Sequence, residues 1–196
     1  MDNNMFGKYN TLVMIGRPGS GKGVQTKLMV DKTGFKTFST GDKLRELKKA
    51  DTPIGRKIAD TIDKGNLMPH WFASFLFEEA VIYLPPEQGI VYEGAGRKPE
   101  EAQLFDEVMT WLGRPYKALY LDVADEVSMR RLSKRREMEG REDDAEAVIL
   151  DRLNVYKKEV APAIEVFRKN GALIDINGDQ TPEEVHEEIV RKLSEA

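Results

Sequence analysis

The apolar run Thr11-Leu12-Val13-Met14-Ile15 passes directly into Gly16-Arg17-Pro18-Gly19-Ser20-Gly21-Lys22-Gly23-Val24-Gln25. A buried strand thus delivers a glycine-rich turn and one lysine to the start of a helix. Glycines let successive amide N–H groups turn into one concavity, the helix adds the positive end of its dipole, and Lys22 adds a full charge. Such a loop, Gly16, Pro18, Gly19, Ser20, Gly21, Lys22, Gly23 and Val24, suits a nucleotide polyphosphate. The spacing follows G-x-x-x-x-G-K-[ST] up to its last position, where Gly23 replaces the usual magnesium-binding hydroxyl. A plain Gly/Pro turn is the competing explanation, and the rest of the chain decides between them.

Four β-rich runs, Leu12–Ile15, Ile90–Tyr92, Ala118–Val123 and Leu173–Ile176, and a weaker one, Lys36–Phe38, alternate with helical patterns. The runs are unbroken, as in strands buried on both faces. Apolar stripes mark helices at Leu44 and Leu47; Ile54, Ile58 and Ile62; Phe72, Phe75, Leu76 and Ala80; and Ala102, Phe105, Val108 and Leu112. A longer segment carries Ile149, Leu153, Tyr156, Val160, Ile164 and Phe167, and Pro162 should interrupt it. Thr181, Pro182 and Glu184 spell a capped helix start. Strands alternating with helices imply an α/β fold with a parallel sheet covered on both sides, and a ligand beyond the strand C-termini.

With 196 residues the chain makes one domain, and its 40% hydrophobic content supplies a core. A net charge of −4 argues against a dedicated nucleic-acid binder. The chain has no cysteine, so disulfides and thiolate metal sites are excluded. No signal-like or membrane-spanning apolar stretch is present, which reads as a cytoplasmic protein without a membrane partner.

Four further segments carry chemistry. Ser39-Thr40-Gly41-Asp42-Lys43-Leu44-Arg45 enters a helix after the second strand. Glu93-Gly94-Ala95-Gly96-Arg97 follows Ile90–Tyr92. Arg131 and Arg135 share a helix face. Gly140-Arg141, Asp143-Asp144 and Arg152 lie further on. Each alone reads as a capped turn or a solvated charge. In this order they resemble the adenylate kinase family of nucleoside monophosphate kinases, whose G-x-P-G-x-G-K-G-T-Q, S-T-G-D-x-L-R, D-G-[FY]-P-R, R-x-x-x-R, G-R-x-D-D and R-L-x-x-Y patterns fall on these residues. The turn Ile176-Asn177-Gly178-Asp179 is similar as well.

The resemblance implies a P-loop NTPase-type, three-layer α/β/α fold with a five-stranded parallel sheet. It places a monophosphate-binding flap at 40–69 and a short lid at 136–143, with the core at 1–39, 70–135 and 144–196. It implies the reaction ATP + AMP ⇌ 2 ADP in a monomer. By the same analogy ATP meets Gly16, Pro18 to Val24, Arg131, Arg135 and Gly178. AMP meets Thr40, Gly41, Arg45, Met68, Gly94, Arg97, Glu101, Arg141 and Arg152. Lys22, Arg97, Arg131, Arg135, Arg141 and Arg152 would be catalytic, since phosphoryl transfer asks mainly for positioning and charge neutralisation. Mg²⁺ would travel with ATP through a water shell near Glu93 and Asp122, with no direct protein ligand and no zinc.

Three positions depart from the family pattern. Val24 stands for threonine and loses a hydroxyl. Ala95-Gly96 stands for an aromatic–proline pair, which leaves Arg97 less preorganised. Glu101 stands where adenylate kinases place glutamine, and a carboxylate matches guanine better than adenine, unless it is an exposed helix-terminal acid. Another nucleoside monophosphate kinase, using GMP or a pyrimidine monophosphate, is therefore an alternative, as is a regulator that has lost catalysis. A signalling GTPase is disfavoured because no N-K-x-D motif occurs. His70 and His186 lack ligand partners by spacing, and Trp71 and Trp111 are expected to be core or flap contacts.

Overall fold

In the computed structural model, residue 6 and residues 8–139 and 146–196 are described. Five strands, β1 (Thr11–Ile15), β2 (Lys36–Ser39), β3 (Ile90–Glu93), β4 (Tyr116–Asp122) and β5 (Leu173–Asn177), form one sheet of order β2-β3-β1-β4-β5. Every pairing is parallel. The strand carrying the glycine-rich turn is therefore central, flanked by β3 and β4, and its five residues are all buried.

The two-residue alternation of a strand sorts β1 between two cores. Val13 and Ile15 join Ile90, Tyr92 and Ala118 against α4 (His70–Ile82), α5 (Pro99–Trp111) and α8 (Ala161–Lys169). Leu12 and Met14 join Val91, Leu119, Leu121 and Ile176 against α1 (Lys22–Thr33) and α9 (Pro182–Glu195). Helices thus cover both faces, as the unbroken apolar runs require. Phe105 centres the first core, its ring 5.2 Å from that of Phe77, 5.3 Å from Tyr116 and 5.5 Å from Tyr92. The contacts with Tyr116 and Tyr92 are edge-to-face, an arrangement that adds about 0.5–1.5 kcal/mol each beyond burial.

A smaller cluster, Leu44, Ile58, Met68, Phe72 and Leu76, ties α2 (Thr40–Lys48) and α3 (Pro53–Ile62) to α4. Two expected core positions turn outward: Ile54 and Phe75 are 41% and 54% exposed. Ile58, Phe72 and Leu76 take the inward positions on these helices instead. Trp71 and Trp111 also face solvent.

Beyond α6 (Asp125–Glu139), α7 (Glu146–Val155) runs into a π-helical turn at Tyr156–Val160 and then into α8. The Ala161 amide bonds back to the Tyr156 carbonyl, a five-residue step. Pro162 follows at the start of α8, where its missing N–H costs nothing. The expected interruption is thus a widened turn, and it brings Tyr156 over Arg17, whose guanidinium lies 5.4 Å from the ring centroid. Helix α9 carries the full capping box of Thr181 and Glu184.

One structural arginine left no sequence signal. Arg114 is 5% exposed and donates to the carbonyls of Pro85, Pro86 and Gln88 and to Thr11 Oγ1. It clamps the turn before β3 and so fixes the strand that delivers Glu93 and Arg97.

Candidate active site

Strand β1 ends at Ile15, and the chain reverses through glycines in left-handed conformations that a side chain would strain. Gly19 and Gly21 have φ of 77° and 96°. At Gly16 an added Cβ would sit 2.7 Å from the Leu121 carbonyl oxygen. Helix α1 starts at Lys22 with no side-chain cap, leaving its first amides open to a ligand. The Lys22 ammonium donates to the carbonyls of Gly16 (2.8 Å) and Arg17 (2.9 Å) and to Ser20 Oγ (3.3 Å).

Two cavities open on this turn. The first, about 370 Å³, is lined by Gly16, Pro18, Gly19, Lys22, Thr40, Gly41, Arg45, Met68, Glu93, Gly94, Arg97, Glu101, Arg135 and Arg152 among others. The second, about 620 Å³, is lined by Gly19, Ser20, Gly21, Lys22, Gly23, Val24, Arg45, Glu93, Arg131, Arg135 and Gly178 among others. The two share Gly19, Lys22, Arg45, Glu93 and Arg135. Arg45 comes from α2, Glu93 from the end of β3 and Arg135 from α6, so four stretches of chain meet at one rim. Arg141 lies outside the described residues, as do Gly140, Asp143, Asp144 and residues 140–143 of the expected lid. Residues 136–139 form the last turn of α6.

The residues expected around the monophosphate, Arg141 aside, line the first cavity. Of those expected around the triphosphate, Gly16 and Pro18 line the first and the others the second. Arg131 donates to the carbonyls of Gly178 (3.0 Å) and Gln180 (3.4 Å), pinning the turn after β5 to the second cavity. Asp122 lines neither cavity; it accepts from the Tyr120 hydroxyl (2.9 Å) and lies 3.8 Å from Arg17. Arg17 also pairs with Asp125. This cluster brings Arg17 of the glycine-rich turn against Tyr156, a contact that sequence reasoning missed. The acids Asp122, at the end of β4, and Asp125, at the start of α6, were its only signal.

The electrostatics follow from burial. Desolvation lowers the Lys22 ammonium to about 7; Glu93 opposes this, and Arg97, Arg152 and Arg135 reinforce it. Arg97 is likewise pushed down, chiefly by burial, with Glu101 and Glu93 opposing and Arg45 adding to it. A cavity lined by Lys22, Arg45, Arg97, Arg135 and Arg152 favours a multivalent anion there.

Two departures from the family pattern read differently in three dimensions. Gly96 has φ 65°, which proline cannot adopt, and an added Cβ would lie 2.6 Å from the Phe167 ring. Glycine is what this turn demands, and Arg97 is held by other means: its amide donates to Glu101 Oε2 at 2.8 Å. Gly96→Pro, which restores the family residue, is expected to cost about 3 kcal/mol or more in denaturant unfolding; an unchanged midpoint would refute this. Glu101, for its part, is 2% exposed and so is not a surface acid at the helix end.

His186 is also buried, with neither ring nitrogen hydrogen-bonded, and burial and the Lys32 charge keep it neutral. Among the described residues no group of three His, Cys, Asp or Glu side chains is placed to hold a metal ion, and no helix is long and apolar enough to cross a membrane.

The sequence model of the family described as "Adenylate kinase" matches residues 14–172. Among curated relatives, "Adenylate kinase 1" of Nostoc sp. is 36% identical over 93% of this chain and 97% of its own length. "Adenylate kinase" of Maricaulis maris is 37% identical over 94% and 98%. "Adenylate kinase" of Thermus thermophilus is 31% identical over 91% and 94%. A P-loop NTPase-type α/β sheet, a shared cationic rim and end-to-end similarity agree, and the chain belongs to the adenylate kinase family of nucleoside monophosphate kinases.

Proposed function

We propose that the protein catalyses ATP + AMP ⇌ 2 ADP, with AMP in the first cavity and ATP in the second. The observation that carries this reading is the shared rim. Lys22, Arg45 and Arg135 line both cavities, so phosphates entering from either side meet the same cations. An AMP phosphate oxygen attacks the γ-phosphorus of ATP, and the β–γ bridging oxygen leaves on ADP. The protein need form no covalent bond. It aligns the two nucleotides and offsets the charge that five phosphates and the transferring group bring together.

In this scheme Arg45 and Arg97 hold the acceptor phosphate, with the 40–69 flap supplying Thr40, Gly41 and Met68 around the nucleoside. Gly19 to Val24 supply amides to the donor phosphates, and Lys22, Arg131, Arg135, Arg141 and Arg152 meet the donor and the group in flight. Arginine suits these positions because its fork makes paired hydrogen bonds and keeps its charge.

The donor set is compatible with Mg²⁺ carried by the nucleotide. A Cβ at Gly23 would lie 3.5 Å from Glu93 Oε2, so a carboxylate stands beside the loop where a hydroxyl is missing. Magnesium bound largely by water and phosphate needs little more; Glu93, with Asp122 further out, would hold its waters, and the ion would neutralise donor oxygens.

Val24 is 50% exposed at the edge of the second cavity. Val24→Thr is expected to tighten ATP binding by about 0.5–1.5 kcal/mol through one added hydroxyl contact, as read by calorimetric titration; an unchanged affinity would show that the backbone amide suffices.

The reading is tested by following ADP formation from ATP with and without AMP. Rapid ADP formation only when both are present supports it. Hydrolysis of ATP at a similar rate without acceptor, or no turnover with any monophosphate, would overturn it.

A further inference from the structure

Two polar side chains in the first cavity have no part in the phosphate chemistry. Thr40 is 4% exposed, and its Oγ1 has no hydrogen-bond partner. Glu101, on the first turn of α5, is 2% exposed and lines the same cavity. Its Oε2 accepts the Arg97 amide, and the Lys98 amide also lies against the carboxyl. A buried hydroxyl without a partner and a buried carboxyl facing one space are a costly pair to leave unmatched.

Building on the kinase reading above, we propose that Glu101 selects the base of the acceptor nucleotide by gaining or losing a single proton: as the neutral acid it takes adenine, and as the carboxylate it takes guanine. The chemistry turns on one ring position. Adenine N1 is an acceptor and needs a donor opposite it, whereas guanine N1 carries a hydrogen and needs an acceptor. With Oε2 held by the Arg97 amide in either state, the other carboxyl oxygen presents O–H when protonated and a bare oxygen when not. The Thr40 hydroxyl donates or accepts as it rotates, so it serves either base edge.

The surroundings place this change near neutrality. Burial raises the Glu101 carboxyl to about 7, against the opposing pull of the Arg97 amide and charge and of Lys98. Among the described residues, the ionisable groups facing the cavity from other elements are Lys22 on α1, Arg45 and Lys48 on α2, Asp63 after α3, Glu93 on β3, Arg135 on α6, and Arg152 and Tyr156 beyond it. Their own titration, Lys22 above all, affects any nucleotide phosphate. It cancels in the ratio of two affinities, because AMP and GMP carry the same ribose phosphate.

The test is calorimetric binding of AMP and of GMP to the full chain at about pH 6 and about pH 8.5, with wild type and Glu101→Gln side by side. Glutamine retains an acceptor for the Arg97 amide, so the loop keeps its support. The wild-type ratio of AMP to GMP affinity is expected to fall by about tenfold or more between the two conditions, while the glutamine variant favours AMP at both. A wild-type ratio that stays constant, or one that shifts equally in Glu101→Gln, overturns the proton switch and leaves the kinase reading standing. Failure of both nucleotides to bind at either pH would overturn the two together.

Discussion

Arg135→Ala lowers turnover by about 10³–10⁵-fold, the range reached when one transition-state arginine is removed from other phosphoryl-transfer enzymes. The expectation rests on position. Arg135 lines both cavities from the last turns of α6, and on the proposed reaction its charge would serve the group moving between them. Charge there matters more in the transition state than in either bound nucleotide. The loss should therefore fall on kcat, with KM for ATP and AMP changed far less. Arg135→Lys should recover only part of it, because an ammonium cannot reproduce the paired donors of the guanidinium. Steady-state kinetics on both variants is the check. A loss in kcat under about tenfold would remove Arg135 from the chemistry.

The second large effect concerns Lys22. Lys22→Met is expected to reduce kcat by about 10²–10³-fold, the loss typical of removing one preorganised donor from developing charge. A proton signature accompanies it. Burial and three arginines hold the Lys22 ammonium down to about 7, so above that pH the free protein carries it largely neutral. A polyphosphate favours the charged form and raises its pKa. Binding then takes up a proton, and affinity for ATP weakens as pH rises through and beyond 7; below 7 the lysine is already charged and uptake vanishes. Calorimetry at about pH 8 in buffers of different ionisation enthalpy should show uptake approaching one proton in wild type and none from this group in Lys22→Met. Equal uptake in both would mean that the proton goes elsewhere.

Much of this architecture could be read from residue order. The β1 run and the turn after it mark a central strand because a strand buried on both faces stays apolar at successive positions, as Leu12–Ile15 does. The arginines were harder. Each one alone looks like solvated charge, and their meaning lies in long-range convergence that local periodicity does not encode. Only the ordered resemblance to a family supplied it. What stayed illegible is tertiary in origin. Arg114 clamps carbonyls, which have no sequence signature. Gly96 looked like a loss of rigidity until its φ of 65° and the Phe167 ring showed that no other residue fits. Glu101 could be read as an exposed cap because a helix N-terminus welcomes an acid, and only the packing of α5 against the sheet buries it. Ile54 and Phe75 kept a helical period without a core to meet it.

The central claim is that one cationic rim serves two nucleotides at once. Its most direct test is a binding titration with two adenosines joined by a pentaphosphate, a molecule that spans both cavities only if their phosphate ends meet. Binding of one molecule per chain, with loss of both ATP and AMP binding and a weaker affinity in Arg135→Ala, is the predicted result. Two molecules per chain, or displacement of one nucleotide but not the other, would contradict it.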